Sequence, residues 1–199
     1  MVLPMDSSFK SVRGNITKMI VSKQRKIDDD IFLCDPGIVL SRLYCPPKKI
    51  AVRHVIGIIP HYVDEDKVKS LYGDKFHIIS MVRNDIEGLV DDILSCEIIL
   101  SSSLHGIIFS HSYGVPAYHI EFTDFFGNGN FKFQDYYSAF PDITYKKFKC
   151  RNSNIDFTRI LKFHMEHRFD SNPSMEQIQQ KQDEFLKRLP YKNYVNPEI

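Results

Sequence analysis

Short apolar runs alternate with amphipathic segments from residue 50 onward. Ile98, Ile99 and Leu100 are consecutive apolar residues, which is typical of a strand covered on both faces in a parallel sheet. The pattern predicts strands at residues 52–59, 76–80, 98–101 and 117–120, with helices at 64–72, 86–95 and 104–113 between them. Strands and helices that alternate in this way favour an α/β fold, in which helices flank a parallel sheet with right-handed crossovers.

The segments on either side of this region predict smaller elements. Helical spacing predicts a helix from about Asn15, and the sequence IFLC at 31–34 predicts a strand, followed by a turn at Asp35 and a helix at 38–44. Two prolines and two lysines at 46–49 indicate a linker. Beyond residue 149, two amphipathic helices, at 154–167 and 173–189, are expected to pack over the sheet as a brace. We therefore divide the chain into an N-terminal segment (1–48), an α/β domain (49–149) and a C-terminal helical extension (150–199).

The net charge and the distribution of charged residues indicate what kind of partner the chain binds. The chain has 199 residues with a net charge of +1, and its acidic and basic residues are mixed throughout. Such a surface favours neither nucleic acid nor membrane lipid, so a small molecule is the expected partner. No apolar run approaches the roughly 18 residues of a membrane span, and the first ten residues lack the pattern of a signal peptide. These features predict a cytoplasmic protein.

The four cysteines, Cys34, Cys45, Cys96 and Cys150, are far apart and form no Cys-x-x-Cys pair. This spacing predicts neither a zinc site nor a disulfide framework. We interpret them as reduced thiols, most of them buried, and we expect no metal.

The sequence EIILSSSLHGIIFSHSYGVP, residues 97–116, carries the clearest chemical signal. It predicts a strand, a turn made by Ser101, Ser102 and Ser103, and a helix that opens near His105. The free N–H groups of a first helical turn attract anions, and Gly106 removes a side chain beside that turn. An imidazole at the same place can transfer a proton near neutral pH. An ordinary capped helix with a hydrogen-bonding histidine would have the same sequence, and the residues alone leave both interpretations open.

Other polar residues follow the ends of neighbouring predicted strands. His61 comes after the first strand and Glu121 after the fourth. Ligands of parallel sheets bind at the carboxyl ends of the strands, so we expect these residues to lie near the serine turn. Either residue taken alone is also explained as a structural histidine or a solvated carboxylate.

The serine turn and its helix resemble the Ser-x-x-Leu-His-Gly and Gly-Val-Pro signature of the polysaccharide pyruvyl transferase family. Four further segments resemble that family in the same order: SVRGNIT at 11–17, CDPGIVLSRLY at 34–44, IGIIPHYVD at 56–64 and FKFQDYYSAF at 131–140. The resemblance implies a Rossmann-like sheet that forms one half of a two-domain, GT-B-like architecture. It also implies transfer of a pyruvyl group from phosphoenolpyruvate to sugar hydroxyls. The product would be a ketal on an exopolysaccharide, a capsule or a lipid-linked glycan precursor, formed without a cofactor.

Roles for individual residues follow from the same resemblance. His105 is expected to be the catalytic acid-base group. Residues expected to bind the donor are Arg13, His61, Ser101, Ser102, Ser103, Gly106 and Lys132. Residues expected to contact the acceptor, or to support those that do, are Asp35, Glu121 and Asp135. Simpler roles remain open for several of them, since Arg13 could be a solvated cation and Asp35 a helix cap.

Two features depart from the family pattern. Many relatives have an arginine where this chain has Ser103, and little of a first α/β domain precedes SVRGNIT. We therefore expect most of the first domain to be missing or supplied by another chain, which leaves the activity of this chain alone open. Two other functions stay open: a glycosyltransferase that holds a nucleotide-sugar diphosphate at the serine turn and its ribose at Glu121, and a binding domain without turnover.

Overall fold

Two parallel sheets organise the part of the chain that the structure describes. The computed structural model describes residues 9–24, 26–28, 30–122, 130–150 and 155–188. Its strands are β1 (Ser11–Val12), β2 (Phe32–Leu33), β3 (His54–Ile59), β4 (His77–Ile78), β5 (Cys96–Ser101), β6 (Ala117–Glu121) and β7 (Lys147–Lys149). Its helices are α1 (Asn15–Ser22), α2 (Leu40–Leu43), α3 (Glu65–Tyr72), α4 (Ile86–Leu94), α5 (Leu104–Ser112), α6 (Asn130–Tyr137), α7 (Phe157–His167) and α8 (Met175–Arg188). Short 3₁₀ turns at Pro36–Val39 and Tyr62–Asp64 lead into α2 and α3.

The larger sheet has the strand order β4-β3-β5-β6-β7, and all of its pairs are parallel. The predicted α/β class is therefore confirmed, as are the strands and helices predicted between residues 50 and 121, with shifted ends. Near the carboxyl edge one row of paired residues crosses four strands: Ile59, Ser101, His119 and Lys147. Side chains at paired positions of a parallel sheet point to the same face.

Each face of this sheet is covered, as the continuous apolar runs predicted. One face carries Ile59, Ile99 and Ala117 and packs against α4, α5 and α6. The opposite face carries Ile58, Leu100, Tyr118 and Ile120 and packs against α3 and α7. Fully covered strands have no solvated face, which explains the absence of alternating polar residues in β5.

The smaller sheet pairs β1 with β2 in parallel, with Val12 opposite Leu33. The C-terminal helix α8 packs against this region, where the rings of Phe185 and Phe32 lie 5.2 Å apart. Gln182 Nε2 also donates to the carbonyl oxygen of Ile38 at 2.9 Å. The expectation that both C-terminal helices brace the larger sheet is therefore wrong for α8, because its apolar face is complementary to the N-terminal segment. Helix α7, in contrast, packs on the larger sheet through Ile160.

Three elements were not predicted: β1, α6 and β7. The buried residues of α6 include three consecutive positions, Asp135, Tyr136 and Tyr137, so its sequence has little amphipathic period. β7 has only three residues and two of them are lysines. The predicted helix start at 154 and the predicted helix end at 189 lie outside the described residues.

None of the four cysteines forms a disulfide in the part of the chain that the structure describes. Burial raises the pKa of Cys34 to about 12 and that of Cys96 to about 11, so both are protonated thiols that act as small apolar core residues. Cys45 is exposed and Cys150 half-buried, so the expectation of mostly buried thiols holds for two of the four.

Candidate functional site

The candidate site lies where the carboxyl ends of the two parallel sheets face each other. In the larger sheet, the chain passes from β3 to β4 on one side of β3, and β5 then pairs with β3 on its other side. The loops after β3 and β5 therefore diverge, which is the usual position of a ligand crevice in such sheets. A hydrogen bond from the backbone N–H of His61 to Ser102 Oγ, at 2.7 Å, joins the two loops.

Asp35 connects the two sheets at this crevice. Arg13 directly follows β1 and Asp35 closely follows β2, and Arg13 Nε lies 3.4 Å from Asp35 Oδ2. The other carboxylate oxygen of Asp35 lies 4.0 Å from His105 Nε2 and also accepts the N–H of Gly37 at 3.0 Å. Asp35 is therefore both a cap for the following 3₁₀ turn and a shared neighbour of Arg13 and His105.

His105 occupies the first turn of α5 and points toward solvent. Its side chain is 56% exposed, although it approaches Asp35 on one side. Its ring centroid lies 5.8 Å from that of Phe109, one turn further along the helix. An imidazole in this position is open to a ligand and has a carboxylate beside it, as general acid-base chemistry requires.

Lys132 adds a second cation to the site. Burial lowers the pKa of Lys132, and the guanidinium of Arg13 lowers it further. Lys132 in turn contributes to lowering the pKa of His61, for which burial is the larger cause. Among the described residues Lys132 forms no ion pair with a carboxylate, and its Nζ lies 5.3 Å from the centre of the Phe133 ring. Arg13 and Lys132 thus form a positively charged cluster that suits an anion with more than one negative group.

A capping contact between helices brings these two cations together. The buried carboxylate of Asp135, on α6, accepts the backbone N–H of Thr17 at 2.8 Å and its hydroxyl at 2.6 Å. Asp135 therefore caps α1 from another helix. Gly14 allows this approach, because a β-carbon there would collide with the carbonyl oxygen of Asp135. The expectation that Asp135 contacts acceptor sugar is not supported by this geometry, since it is fully buried and both of its carboxylate oxygens are occupied.

The serine turn separates into structural and accessible parts. Ser101 is fully buried, and its hydroxyl bonds the carbonyl oxygen of Ile59 at 2.9 Å and the N–H of Ser103 at 3.0 Å. Gly106 is a packing residue, because a β-carbon there would lie 2.8 Å from Ile59 Cγ2. Ser101 and Gly106 thus shape the turn rather than face a ligand, contrary to their expected role in donor binding. Ser102 and Ser103 are partly exposed, and Ser103 makes no side-chain capping bond at the start of α5.

Glu121 ends β6 and is partly exposed. Its Oε2 accepts from Lys147 Nζ at 2.6 Å. Behind this pair, Asn130 Oδ1 accepts from the hydroxyl of Tyr145 at 3.2 Å, and Tyr145 bonds to His119 Nδ1. Glu121 is therefore the outer member of a polar network rather than a free carboxylate.

Sequence reasoning missed His119, Tyr145 and Lys147 in this network. His119 is almost fully buried, and burial together with Lys147 and Lys132 lowers its pKa to about 3. A polar residue two positions before the end of an otherwise apolar strand was the available signal for His119. Lys147 could not be placed, because β7 was not predicted.

In the described ranges, no group of three or more His, Cys, Asp or Glu side chains is arranged so that it could hold a metal ion. A helix able to span a lipid bilayer is also not found in these ranges.

The family model of the polysaccharide pyruvyl transferases matches residues 5–123. The chain belongs to this family. The match contains Arg13, Asp35, His61, the serine turn, His105 and Glu121, whereas Lys132 and Asp135 lie beyond it. Family membership therefore applies to the crevice between the two sheets, and the structure adds Lys132 to it.

An uncharacterized protein of Acanthamoeba polyphaga mimivirus is 38% identical to the chain over 134 residues, which is 65% of this chain and 47% of the viral protein. The chain thus spans about half the length of this viral protein. No solved structure matches the chain.

Proposed function

We propose that the chain transfers the pyruvyl group of phosphoenolpyruvate to two hydroxyls of a sugar, forming a cyclic ketal on a surface glycan or on its lipid-linked precursor. The observation that carries this proposal is the convergence of Arg13, Lys132 and the exposed His105 around one crevice in a member of the pyruvyl transferase family. Two cations and a proton carrier suit a donor that has a carboxylate, a phosphate and an enol carbon to protonate.

Donor binding is assigned to the positive side of the crevice. The guanidinium of Arg13 can form paired, charge-assisted hydrogen bonds with a carboxylate or a phosphate. Lys132 supplies a second positive charge, and no carboxylate of the described residues forms an ion pair with it. The exposed hydroxyls of Ser102 and Ser103, with the first N–H groups of the nine-residue helix α5, offer further bonds to an anion.

Proton transfer is assigned to His105. The methylene carbon of the donor gains a proton and becomes a methyl group, and one sugar oxygen bonds to the neighbouring carbon. The second sugar oxygen then displaces phosphate from that carbon and forms the ketal. Of the two hydroxyl protons released, one balances the proton gained by carbon and the other leaves with the phosphate. An imidazole that both gives and takes a proton fits this exchange.

Asp35 is assigned a supporting role. Its carboxylate lies near the imidazole nitrogen of His105 and close to Arg13, so it can orient both. Glu121, which already pairs with Lys147, is assigned to the acceptor side at the end of β6.

A second α/β domain, from a longer chain or from a partner, is proposed to cover the open side of the crevice. The motivation is the 56% exposure of the His105 side chain, since acid-base catalysis in a two-domain site usually proceeds in a more enclosed space.

The proposed function is tested by the choice of ligand. Phosphoenolpyruvate should raise the melting temperature of the purified chain, whereas nucleotide-sugars should not, and inorganic phosphate should have a smaller effect. Phosphate release would then be measured with phosphoenolpyruvate and sugar acceptors, with and without an added first domain from a relative. Stabilisation by nucleotide-sugars alone would replace this proposal with glycosyl transfer. Binding of phosphoenolpyruvate without phosphate release, both with and without the added first domain, would indicate a binding function instead of pyruvyl transfer.

A further inference from the structure

Two stacked rings lie beside Lys132. The His119 ring packs face to face on the Phe133 ring, with centroids 3.6 Å apart and planes 13° apart. Lys132 Nζ lies 5.3 Å from the centre of the Phe133 ring. His119 is 3% exposed and Phe133 is 1% exposed, so both rings are fixed by the core.

The orientation of His119 is set by a chain of hydrogen bonds. The Tyr145 hydroxyl lies 3.2 Å from Asn130 Oδ1, and the same oxygen accepts from Lys147 Nζ at 3.5 Å. The Tyr145 hydroxyl also bonds to His119 Nδ1, and the donor of that bond is set by the tautomer of the imidazole. His119 can therefore hold one ring orientation without carrying a charge.

The uncharged form of His119 is favoured because two lysines lie near it. Lys147 approaches it from β7 and Lys132 from α6, and Glu121 at the end of β6 is already paired with Lys147. A protonated His119 would repel Lys132, whereas the neutral ring offers only a flat apolar surface to Phe133.

The stack also ties α6 to the serine turn. His119 pairs with Ser101 on the neighbouring strand, and Ser101 holds the turn through its hydroxyl. A lysine has a flexible four-carbon stem, so its ammonium group needs support from neighbours to stay in one place. The support available here extends from Tyr145 through His119 and Phe133.

We propose that His119, oriented by Tyr145, is a positioning residue that holds Phe133 and through it Lys132 toward the anion crevice. This proposal rests on the proposed function, in which Lys132 contacts the donor. His119 itself contacts neither donor nor acceptor.

The test measures the placement of Lys132 directly, without any ligand. Lysines are labelled with an amine reagent over a range of pH, and the products are measured by mass spectrometry. The midpoint is the pH at which half of the Lys132 side chain is deprotonated, and the exposed Lys162 is the internal reference. Wild type should show a lower midpoint for Lys132 than for Lys162. His119→Ala and Tyr145→Phe should both move the Lys132 midpoint upward and increase its labelling rate. His119→Phe, which keeps a stacked ring, should restore part of the wild-type behaviour, and Tyr113→Phe serves as a control.

Binding of phosphoenolpyruvate is the second measurement, and it should weaken by about tenfold in Tyr145→Phe and in His119→Ala. Unchanged Lys132 labelling in a folded Tyr145→Phe protein and in a folded His119→Ala protein would overturn the positioning role. If wild type binds no phosphoenolpyruvate, the proposed function fails while the labelling profile still decides the role of His119.

Discussion

Three charged or titratable side chains, Arg13, Asp35 and His105, form a linked set at the crevice. Asp35 is placed between a cation and an imidazole, and its negative charge opposes the binding of an anionic donor. A carboxylate kept in such a place is best explained by what it does for the orientation of its neighbours. The three residues should therefore respond differently to substitution.

Replacement of His105 should affect chemistry and leave the fold intact. The His105 side chain is 56% exposed, so His105→Gln should not change the melting temperature measurably. Loss of a positioned acid-base group should lower the transfer rate by about a hundredfold to ten-thousandfold. His54→Gln, at the opposite end of the larger sheet, is the matched control. A rate of phosphate release within about tenfold of wild type would remove His105 from the catalytic role.

Arg13→Ala should weaken donor binding more than it slows transfer. A charge-assisted hydrogen bond to an anion contributes about 1.5 to 3 kcal/mol, so the Kd for phosphoenolpyruvate should rise by at least about tenfold. Arg42→Ala removes an arginine that pairs with Asp183 away from the crevice and should leave the Kd unchanged. Equal effects of the two substitutions in a calorimetric titration would contradict a donor contact by Arg13.

Asp35→Asn should separate binding from chemistry. Asparagine can still cap the 3₁₀ turn, so the fold should be retained. Removal of the negative charge should leave donor binding equal or tighter, because the net charge of the crevice becomes more positive, while transfer slows as His105 loses its orienting carboxylate. Weaker donor binding without a change in the transfer rate would show that Asp35 serves the donor instead.

Contacts between helices and strands decide where these residues lie. Strands β3, β5 and β6 and helices α3, α4 and α5 could be predicted because their apolar runs and amphipathic periods are clear. The approach of α1 to α6 could not be predicted, because the cap of α1 comes from Asp135, 118 positions later in the sequence. Local sequence contains no sign of such a partner, and the need for glycine at position 14 follows only from the close approach of Asp135.

The contact between α1 and α6 can be measured as a stability effect. Asp135→Ala should lower the free energy of unfolding by about 1 to 3 kcal/mol, since it removes a helix cap and leaves the partly buried N–H and hydroxyl of Thr17 without their partner. Thr17→Val provides the second arm of a double-mutant cycle. Additive losses in denaturant unfolding would indicate that the two residues do not stabilise the protein through each other.

Across the whole molecule, buried neutral histidines link stability to pH. Burial lowers the pKa of His111 to about 4, and burial and two lysines lower that of His119 to about 3. The unfolded chain, with histidine pKa values of about 6.5, binds more protons than the folded chain below that pH. The stabilisation that these residues provide is thus complete above about pH 6.5 and is lost as the pH falls toward their folded values.

Chemical denaturation at several pH values tests this linkage. The free energy of unfolding should fall by about 1 kcal/mol per pH unit for each of the two histidines between about pH 6 and pH 4.5. His111→Gln keeps a side chain able to bond Tyr136 and Asn172 and should reduce this slope. A wild-type stability that stays constant over this interval would contradict the buried neutral state.

The sequence could not predict which residues of the candidate site are buried and which are accessible. The contacts of Asp35 with Arg13 and His105 agree with the expectation that residues following parallel strands meet at one edge, and the ligand-binding roles of Arg13, Asp35, His61 and His105 stay predictions. The motifs could not separate Ser102 and Ser103, which are accessible, from Ser101, which is fully buried. Exposure depends on packing across strands, and neighbouring serines in one turn are chemically identical until that packing is known.

The attachment of α8 to the N-terminal segment has a consequence for synthesis on the ribosome. A chain that has emerged through residue 150 contains every strand of the larger sheet and the helices α1 to α6. The segment that carries Arg13 and Asp35 still lacks Gln182 and Phe185, which bond Ile38 and pack on Phe32. Domains that form during translation acquire their contacts in the order in which residues emerge. The segment that carries Arg13 and Asp35 should therefore reach its final position beside the larger sheet only after α8 leaves the exit tunnel.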